Sequence, residues 1–328
     1  MAHDRLLAIG EALIDFIPAE TGCAFATISS FAPMIGGAPA NVCGAFAKLG
    51  GKASLITQLG NDPFGDKILA DLRAADVDTG CIARTSQANT ALAFVSLGAE
   101  GTRTFSFYRN PSADMLFKPQ QIRSEWFLDA FALHFCSVSL GDFPMREAHQ
   151  TAILHASAAG AIISFDPNLR LPLWESEQAM IEAVADFLPQ ADLLKLSDEE
   201  LPVLTGTHEL EEALPKLLIG RVKLVILTCG KRGAFACTAD TQVFASAASV
   251  PATDTTGAGD GFLGAFLWKL LQHGCTAAML PTLPQPQLLE CLQFANAFCA
   301  ASVQAAGAIA SYPTLAQLQA QLGKEENE

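Results

Sequence analysis

The sequence predicts an α/β protein. A central, mostly parallel sheet should carry helices on both faces as a three-layer α/β/α sandwich, with a small β-sheet projecting from it as a lid. Three observations lead there. Continuous Val/Ile/Leu runs alternate with helical patterns along most of the chain, as strands buried on both faces require. The 328 residues correspond to roughly two units of about 150 residues, which one large domain with an insertion satisfies. Two stretches then break the βα rhythm with strand-like alternation.

The elements follow in order. Leu6 to Ile9 and Leu13 to Ile17 read as strands, and Ala38 to Leu49 as a helix. Ala53 to Leu59 is a strand, and Phe64 to Ala75 a helix with Phe64, Ile68 and Leu72 on one face. After an interruption come Ala132 to Cys136 (strand), Pro144 to Ala159 (helix) and Ala161 to Phe165 (strand). Gln178 to Leu188 is a helix, and Asp192 to Leu196 and Leu224 to Thr228 are strands. The interrupting stretches, Phe25 to Phe31 and Thr90 to Tyr108, read as antiparallel strands; the second contains the alternation Thr102-Arg103-Thr104-Phe105-Ser106-Phe107. Together they predict one domain over 1–328 with a lid formed from about residues 18–33 and 90–110.

Composition narrows the partners. Twenty basic against 34 acidic residues leave a net charge of −14, and no run of Lys or Arg concentrates positive charge. Nucleic acid and anionic membranes are therefore not expected partners. Half of the residues are apolar and mean hydropathy is +0.29. Yet the richest stretch, Gly261 to Leu271, is interrupted by Lys269, so no transmembrane helix is expected. The nine cysteines are odd in number and never form a CxxC pair. That fits reduced, buried thiols in a cytoplasmic protein and argues against zinc. The first residues run straight into a strand without a signal-peptide core, in keeping with the cytoplasm.

Two segments carry chemistry. Asp254-Thr255-Thr256-Gly257-Ala258-Gly259-Asp260-Gly261 leads into an apolar helix starting near Gly257. Its glycines let backbone approach a ligand, and a helix start supplies free N–H groups with positive dipole character, a ready anion site. Asp260 in the first turn could take a proton from a hydroxyl attacking a phosphoryl group. An ordinary N-cap with a Gly-rich start would read the same. The second segment, Gly36-Gly37-Ala38-Pro39-Ala40-Asn41-Val42, is an irregular turn with Pro at a helix start and an amide on the first turn. A literal GxGxxG at Gly259 to Gly264 closes no strand, so it is not read as a dinucleotide site. Walker A, HExxH and GxSxG sequences are absent.

Taken together, these segments resemble the two signatures of the PfkB (ribokinase-like) family of ATP-dependent sugar kinases. The resemblance runs over nearly the whole chain in the family's order. It includes Gly10-Glu11-Ala12-Leu13-Ile14-Asp15, Gly60-Asn61-Asp62-Pro63-Phe64-Gly65-Asp66 and Thr228-Cys229-Gly230-Lys231-Arg232-Gly233. Phe107 to Leu116 (FYRNPSADML) is closer to the fructokinase branch. Phe165-Asp166-Pro167-Asn168-Leu169-Arg170 with Leu173-Trp174 is shared with ketodeoxygluconate kinases.

The resemblance implies a ribokinase-like fold and a set of roles. Asp260 would be the general base, with Gly257, Ala258 and Gly259 as the anion hole. Asp15, Gly37 and Asn41 would hold sugar hydroxyls. Phe107 and Arg109 would close over the sugar from the lid. Arg170 would contact the substrate or pair with a carboxylate such as Asp166. On the nucleotide side stand Lys195, Ser197, Thr228, Gly230, Gly233 and Asn296, with Ser197 replacing the family's usual Asn. Glu200 would act on magnesium through water, since that ion keeps much of its hydration. Asp254, Thr256 and Ser311, with carbonyls near Ser302 and Gly307, match a potassium site. The Gln304–Ser311 loop departs there from the family's charged version.

The activity implied is phosphorylation of D-fructose at its 6-hydroxyl by ATP with magnesium. Other sugars of the class, 2-keto-3-deoxygluconate or ribose, and a nucleoside kinase or a silent sugar-binding protein are the alternatives. Asp260 argues against the silent protein, and the lid with Phe107 against the nucleoside. An exposed small sheet would also invite a homodimer through the lid.

Overall fold

A computed structural model of the chain describes residues 3–20, 22–97 and 103–325. The chain opens with β1 (Arg5–Ile9), β2 (Leu13–Pro18) and β3 (Phe31–Gly36), followed by α1 (Ala38–Lys48), β4 (Lys52–Gly60) and α2 (Pro63–Ala74). Four strands follow: β5 (Val77–Asp78), β6 (Ile82–Thr85), β7 (Ala91–Leu97) and β8 (Arg103–Tyr108). Then come β9 (Ala130–Cys136), α3 (Pro144–Ala158), β10 (Ile162–Asp166), α4 (Glu177–Phe187) and β11 (Leu193–Ser197). After α5 (Leu201–Thr205) and α6 (Leu210–Leu217), β12 (Leu224–Thr228), β13 (Gly233–Cys237) and β14 (Gln242–Ser246) complete the strands. The chain closes with α7 (Ala258–Gln272), α8 (Gln285–Ser302) and α9 (Leu315–Glu325).

The main sheet runs β14-β13-β12-β11-β10-β9-β1-β4-β5, with β6 also on β4. It is parallel except where β13 pairs antiparallel with β12 and β14. Side chains of β1 alternate between two cores, as strand geometry dictates. Leu6 and Ala8 join Phe46, Phe266 and Phe298 beneath α1, α7 and α8. Leu7 and Ile9 join Met145 and Phe187 beneath α3 and α4. Each fully buried Leu, Ile, Phe or Met among them contributes roughly 1.5–3 kcal/mol. The α1 and α7 backbones approach so closely that a Cβ at Gly264 would lie 2.6 Å from Ala45 Cβ.

Successive strands leave β1 in opposite directions, toward β4 on one side and β9 on the other. Such a switch point opens a crevice at the carboxyl ends of the strands, where ligands of open α/β sheets bind. Glu11, Asp166, Lys195, Ser197 and Thr228 all stand at that edge.

The second sheet, β3-β2-β7-β8, differs in detail from the predicted lid. It begins at Leu13 rather than near residue 18, because β2 pairs here and not in the main sheet. Phe25 to Phe31 is not a strand. Phe25–Thr27 is a 3₁₀ turn, and the ladder starts only at Phe31. There Thr27 Oγ1 donates to the Ala24 carbonyl at 2.8 Å and Ser29 bonds Glu20, local bonds that compete with a strand ladder. Pairing is antiparallel for β2–β3 and β7–β8 but parallel for β2–β7. Thr102 and the rest of 98–102, the tip of the predicted hairpin, lie outside the described residues.

Candidate active site

The α7 N-terminus is built around Gly257, whose φ of +71° suits glycine. A Cβ there would also strike Ala308 Cβ and Tyr312 Oη, both at 2.6 Å. Helix α7 then begins at Ala258, whose N–H closes a turn onto the Thr255 carbonyl at 3.2 Å. The N–H groups of Gly259 and Asp260 that follow lie in the first turn, before any helical acceptor. Asp260 follows in the first turn, half-buried, and its Oδ2 accepts from Asn41 Nδ2 at 2.8 Å. Burial raises the Asp260 carboxyl to about 6, and Asp166 adds to that; the Asn41 amide, Lys195 and Arg170 oppose it. At neutral pH the group is an ionised base held close to its proton-accepting range.

Asn41 is aimed from the other side by Gly37 and Glu11. Gly37 has φ +104°, and a Cβ there would lie 2.6 Å from the Glu11 carbonyl. Glu11, 2% exposed, accepts from Ala38 N at 3.1 Å and Ser139 Oγ at 2.9 Å, fixing the start of α1. Its carboxyl is raised by burial, with Arg109 nearby opposing.

Lys195 emerges from β11 with its Nζ donating to Asp166 Oδ2 at 2.7 Å, and both are buried. Of the two readings of Arg170, substrate contact or an ion pair with Asp166, the ion pair is not formed, and Lys195 takes that carboxylate. Arg170 is exposed, donates to the Leu169 carbonyl at 2.9 Å and lines the cleft. Burial alone would lower the Lys195 pKa, but Asp166, Glu200 and Asp260 outweigh it and raise it. A Cβ at Gly259 would lie 3.1 Å from Lys195 Nζ, so an ammonium stands directly beside the start of α7.

From Asp260 a cleft of about 540 Å³ runs past Lys195 and Ser197 to Thr228, Gly230, Gly233 and Asn296. Thr228 Oγ1 donates to the Leu196 carbonyl at 3.3 Å. Ser197 and Glu200 form a reciprocal pair: Glu200 N donates to Ser197 Oγ at 3.2 Å, and Ser197 N to Glu200 Oε2 at 2.8 Å. Glu200 Oε1 also accepts from Leu169 N at 2.7 Å. Each carboxylate oxygen keeps a lone pair, which fits contact with a hydrated magnesium ion. Asn296 donates its amide to the carbonyls of Ala245 and Ser246 at 3.0 and 3.3 Å, anchoring β14 at the cleft wall.

Asp254 ties two loops together. Its Oδ1 accepts from Thr256 N and Oγ1 at 2.8 and 2.7 Å, and its Oδ2 from Gly307 N at 2.8 Å. Ser311 Oγ donates to the Ala308 carbonyl at 3.0 Å. Carboxylate, hydroxyl and carbonyl oxygens of this kind suit a hard monovalent cation. Among the described residues no group of three or more His, Cys, Asp or Glu is arranged for a metal.

On the lid, register aligns Met34, Asp15, Ala93 and Phe107 across four strands on one face. Met34 turns that face toward the main domain, since a Cβ at Gly307 would lie 2.8 Å from its methyl. Phe107 stacks on Phe105 with centroids 5.7 Å apart. Arg109 is buried in an ion pair with Asp114, which also accepts from Ser112 Oγ at 2.5 Å. Its Nη1 donates to the Val138 carbonyl at 3.4 Å, while its Nε has no partner.

The carboxylates that position these groups, Glu11, Asp114 and Asp166, were not identified as site residues from sequence. Their signal was their place in the quoted motifs, Gly10-Glu11, Ala113-Asp114 and Phe165-Asp166, which did not say what each carboxylate holds.

Comparison with known proteins shows the family. A profile described as pfkB family carbohydrate kinase matches residues 3–315. The chain is 41% identical to Fructokinase-1 of Oryza sativa subsp. japonica over 312 residues, 95% of each chain. The crystal structure of fructokinase with bound ATP from Xylella fastidiosa superposes with a TM-score of 0.89 at 34% identity, covering 99% of both chains. That of fructokinase from Vibrio cholerae O395 in a fructose-, ADP- and calcium-bound form gives 0.84 at 32%, covering 97% of this chain and 98% of that one.

Proposed function

The chain belongs to the pfkB family of carbohydrate kinases, and from that premise we propose that it transfers the γ-phosphoryl group of ATP to the 6-hydroxyl of D-fructose. The observation that carries the assignment is Asp260. Its carboxylate opens α7 between Asn41 on the sugar side and Lys195 on the nucleotide side. Asp260 takes the proton of the 6-hydroxyl as that oxygen attacks the γ-phosphorus, and the bond to the ADP oxygen breaks in line. The N–H groups of Gly257 to Gly259 and the Lys195 ammonium meet the charge on the transferring group. Asp15, Gly37 and Asn41 bind sugar hydroxyls, and Phe107 closes over the ring. Magnesium, when bound near Glu200, neutralises phosphate charge; a potassium ion held by Asp254, Thr256 and Ser311 would brace the same turn.

Arg109 favours fructose over a sugar acid. Its charge is compensated by Asp114 with Glu11 nearby, so Arg109 is not a free cation for a ketodeoxygluconate carboxylate. A sugar panel with ATP, magnesium and coupled ADP detection, with and without potassium, tests this. Fructose should give the highest kcat/KM, and a preference for ketodeoxygluconate would overturn the specificity.

The outer lid face supports a homodimer. Phe16, Phe25, Phe31, Phe94 and Tyr108 form one aromatic cluster in which Phe25 and Tyr108 are 46% and 64% exposed. Light scattering of Tyr108→Glu beside the unaltered chain should show a dimer lost. A cytoplasmic setting fits nine cysteines that are all unpaired, and no helix among the described residues is long and apolar enough to cross a membrane.

A further inference from the structure

The peptide groups at the start of α7 are gripped from behind by two side chains. Tyr312 Oη donates to the Gly257 carbonyl at 2.7 Å, and Cys299 Sγ donates to the Ala258 carbonyl at 3.0 Å. They arrive separately, Cys299 from α8 and Tyr312 from the segment before α9. The Gly257 carbonyl already accepts the helical bond from Gly261 N at 2.7 Å, so the tyrosine bond occupies its second lone pair.

Each carbonyl shares a planar peptide group with the next residue's N–H, Gly257 with Ala258 and Ala258 with Gly259. A donor on the oxygen draws density away from the nitrogen, and the N–H becomes a stronger donor in turn. Tyr312 is fixed for this: it is 3% exposed, and its ring packs on Phe298 with centroids 5.4 Å apart. Burial, then Asp260 and Cys299, keep its phenol well above the usual pKa, so the hydroxyl remains a donor.

We propose that Tyr312 is a positioning residue for phosphoryl transfer. Its hydroxyl fixes the Gly257–Ala258 peptide in the turn that the Ala258 N–H closes onto the Thr255 carbonyl. Cys299 polarises the Ala258–Gly259 peptide beside it, so that the Gly259 N–H is held toward charge that develops on the transferring group. This rests on the kinase assignment above. The effect grows with charge in the transition state, so it acts on kcat and leaves ground-state binding largely alone.

Tyr312→Phe keeps the ring against Phe298 and removes only the donor. Its kcat should fall about three- to tenfold, the worth of a single hydrogen bond, with KM for ATP and fructose within about twofold. Fluoroaluminate with MgADP, which mimics the transferring group, should inhibit it more weakly by the same factor, while MgADP alone inhibits equally. Cys299→Ala should lose a smaller factor and Cys299→Ser, which restores a donor, should recover it. A Tyr312→Phe kcat equal to the unaltered enzyme, or a loss shared equally by MgADP binding, overturns the proposal. An unaltered enzyme without sugar-dependent ADP formation would instead refute the kinase assignment.

Discussion

At the α7 end of the site the groups offered to a ligand are mostly backbone. The Gly257–Gly259 turn is clamped by Tyr312, Cys299 and the Asp254 loop, and Tyr312 and Ala308 behind it belong to the larger core. At the lid end the side chains proposed to meet the sugar, Asp15 and Phe107, stand on a four-stranded sheet with a small cluster of its own around Leu13, Ala91 and Ala93. Phosphate is the same in every reaction of this class and suits a fixed cradle of N–H groups. A sugar must be enclosed and released, which suits a thin sheet carrying adaptable side chains. Chemistry is thus expected to depend on the first region and sugar affinity on the second.

The largest test of that division is Asp260→Asn. Its kcat should fall by about 10²–10⁴-fold while sugar binding by calorimetry changes little. Near-normal turnover would remove Asp260 as the base. Next, Arg109→Met leaves Asp114 charged and buried without its partner, so chemical denaturation should show about 3–5 kcal/mol lost. Adding Asp114→Leu should recover most of it; if it does not, the pair is more than a local compensation. Asp15→Ala should then raise the fructose KM about 10- to 100-fold at unchanged ATP KM, as loss of charge-assisted hydroxyl bonds implies. An equal rise in both would erase the distinction between the two walls. The smallest effect is pH. Since the base acts ionised and its carboxyl is raised to about 6, kcat/KM should be flat above that pH. Below it the decline should be about tenfold per unit. An acid limb near 4 would mean the site does not desolvate Asp260.

Most of the main sheet was legible because burial on both faces writes continuous apolar runs into the chain. Leu6 to Ile9 and Leu224 to Thr228 needed no tertiary context. The same signal could not tell which sheet a strand joins: β1 and β2 are three residues apart yet belong to different sheets. It failed at Phe25 to Phe31 because Thr27 and Ser29 satisfy local bonds instead of a ladder.

In the site, glycine spacing marked the Gly257 turn and the Gly37 helix start, since both conformations exclude other residues on local grounds. Side-chain partnerships were not legible. Asn41 meets Asp260 across 219 residues of chain, and Lys195, not Arg170, takes Asp166. The sequence alone determined the α/β class and marked the Gly257 turn and the acid that opens its helix, because each is a short-range property of backbone and burial. Only the tertiary structure decided how the lid is assembled, what Arg109 pairs with, and that Tyr312 stands behind the Gly257 turn. Those depend on where distant segments converge, and a periodicity carries no such coordinate.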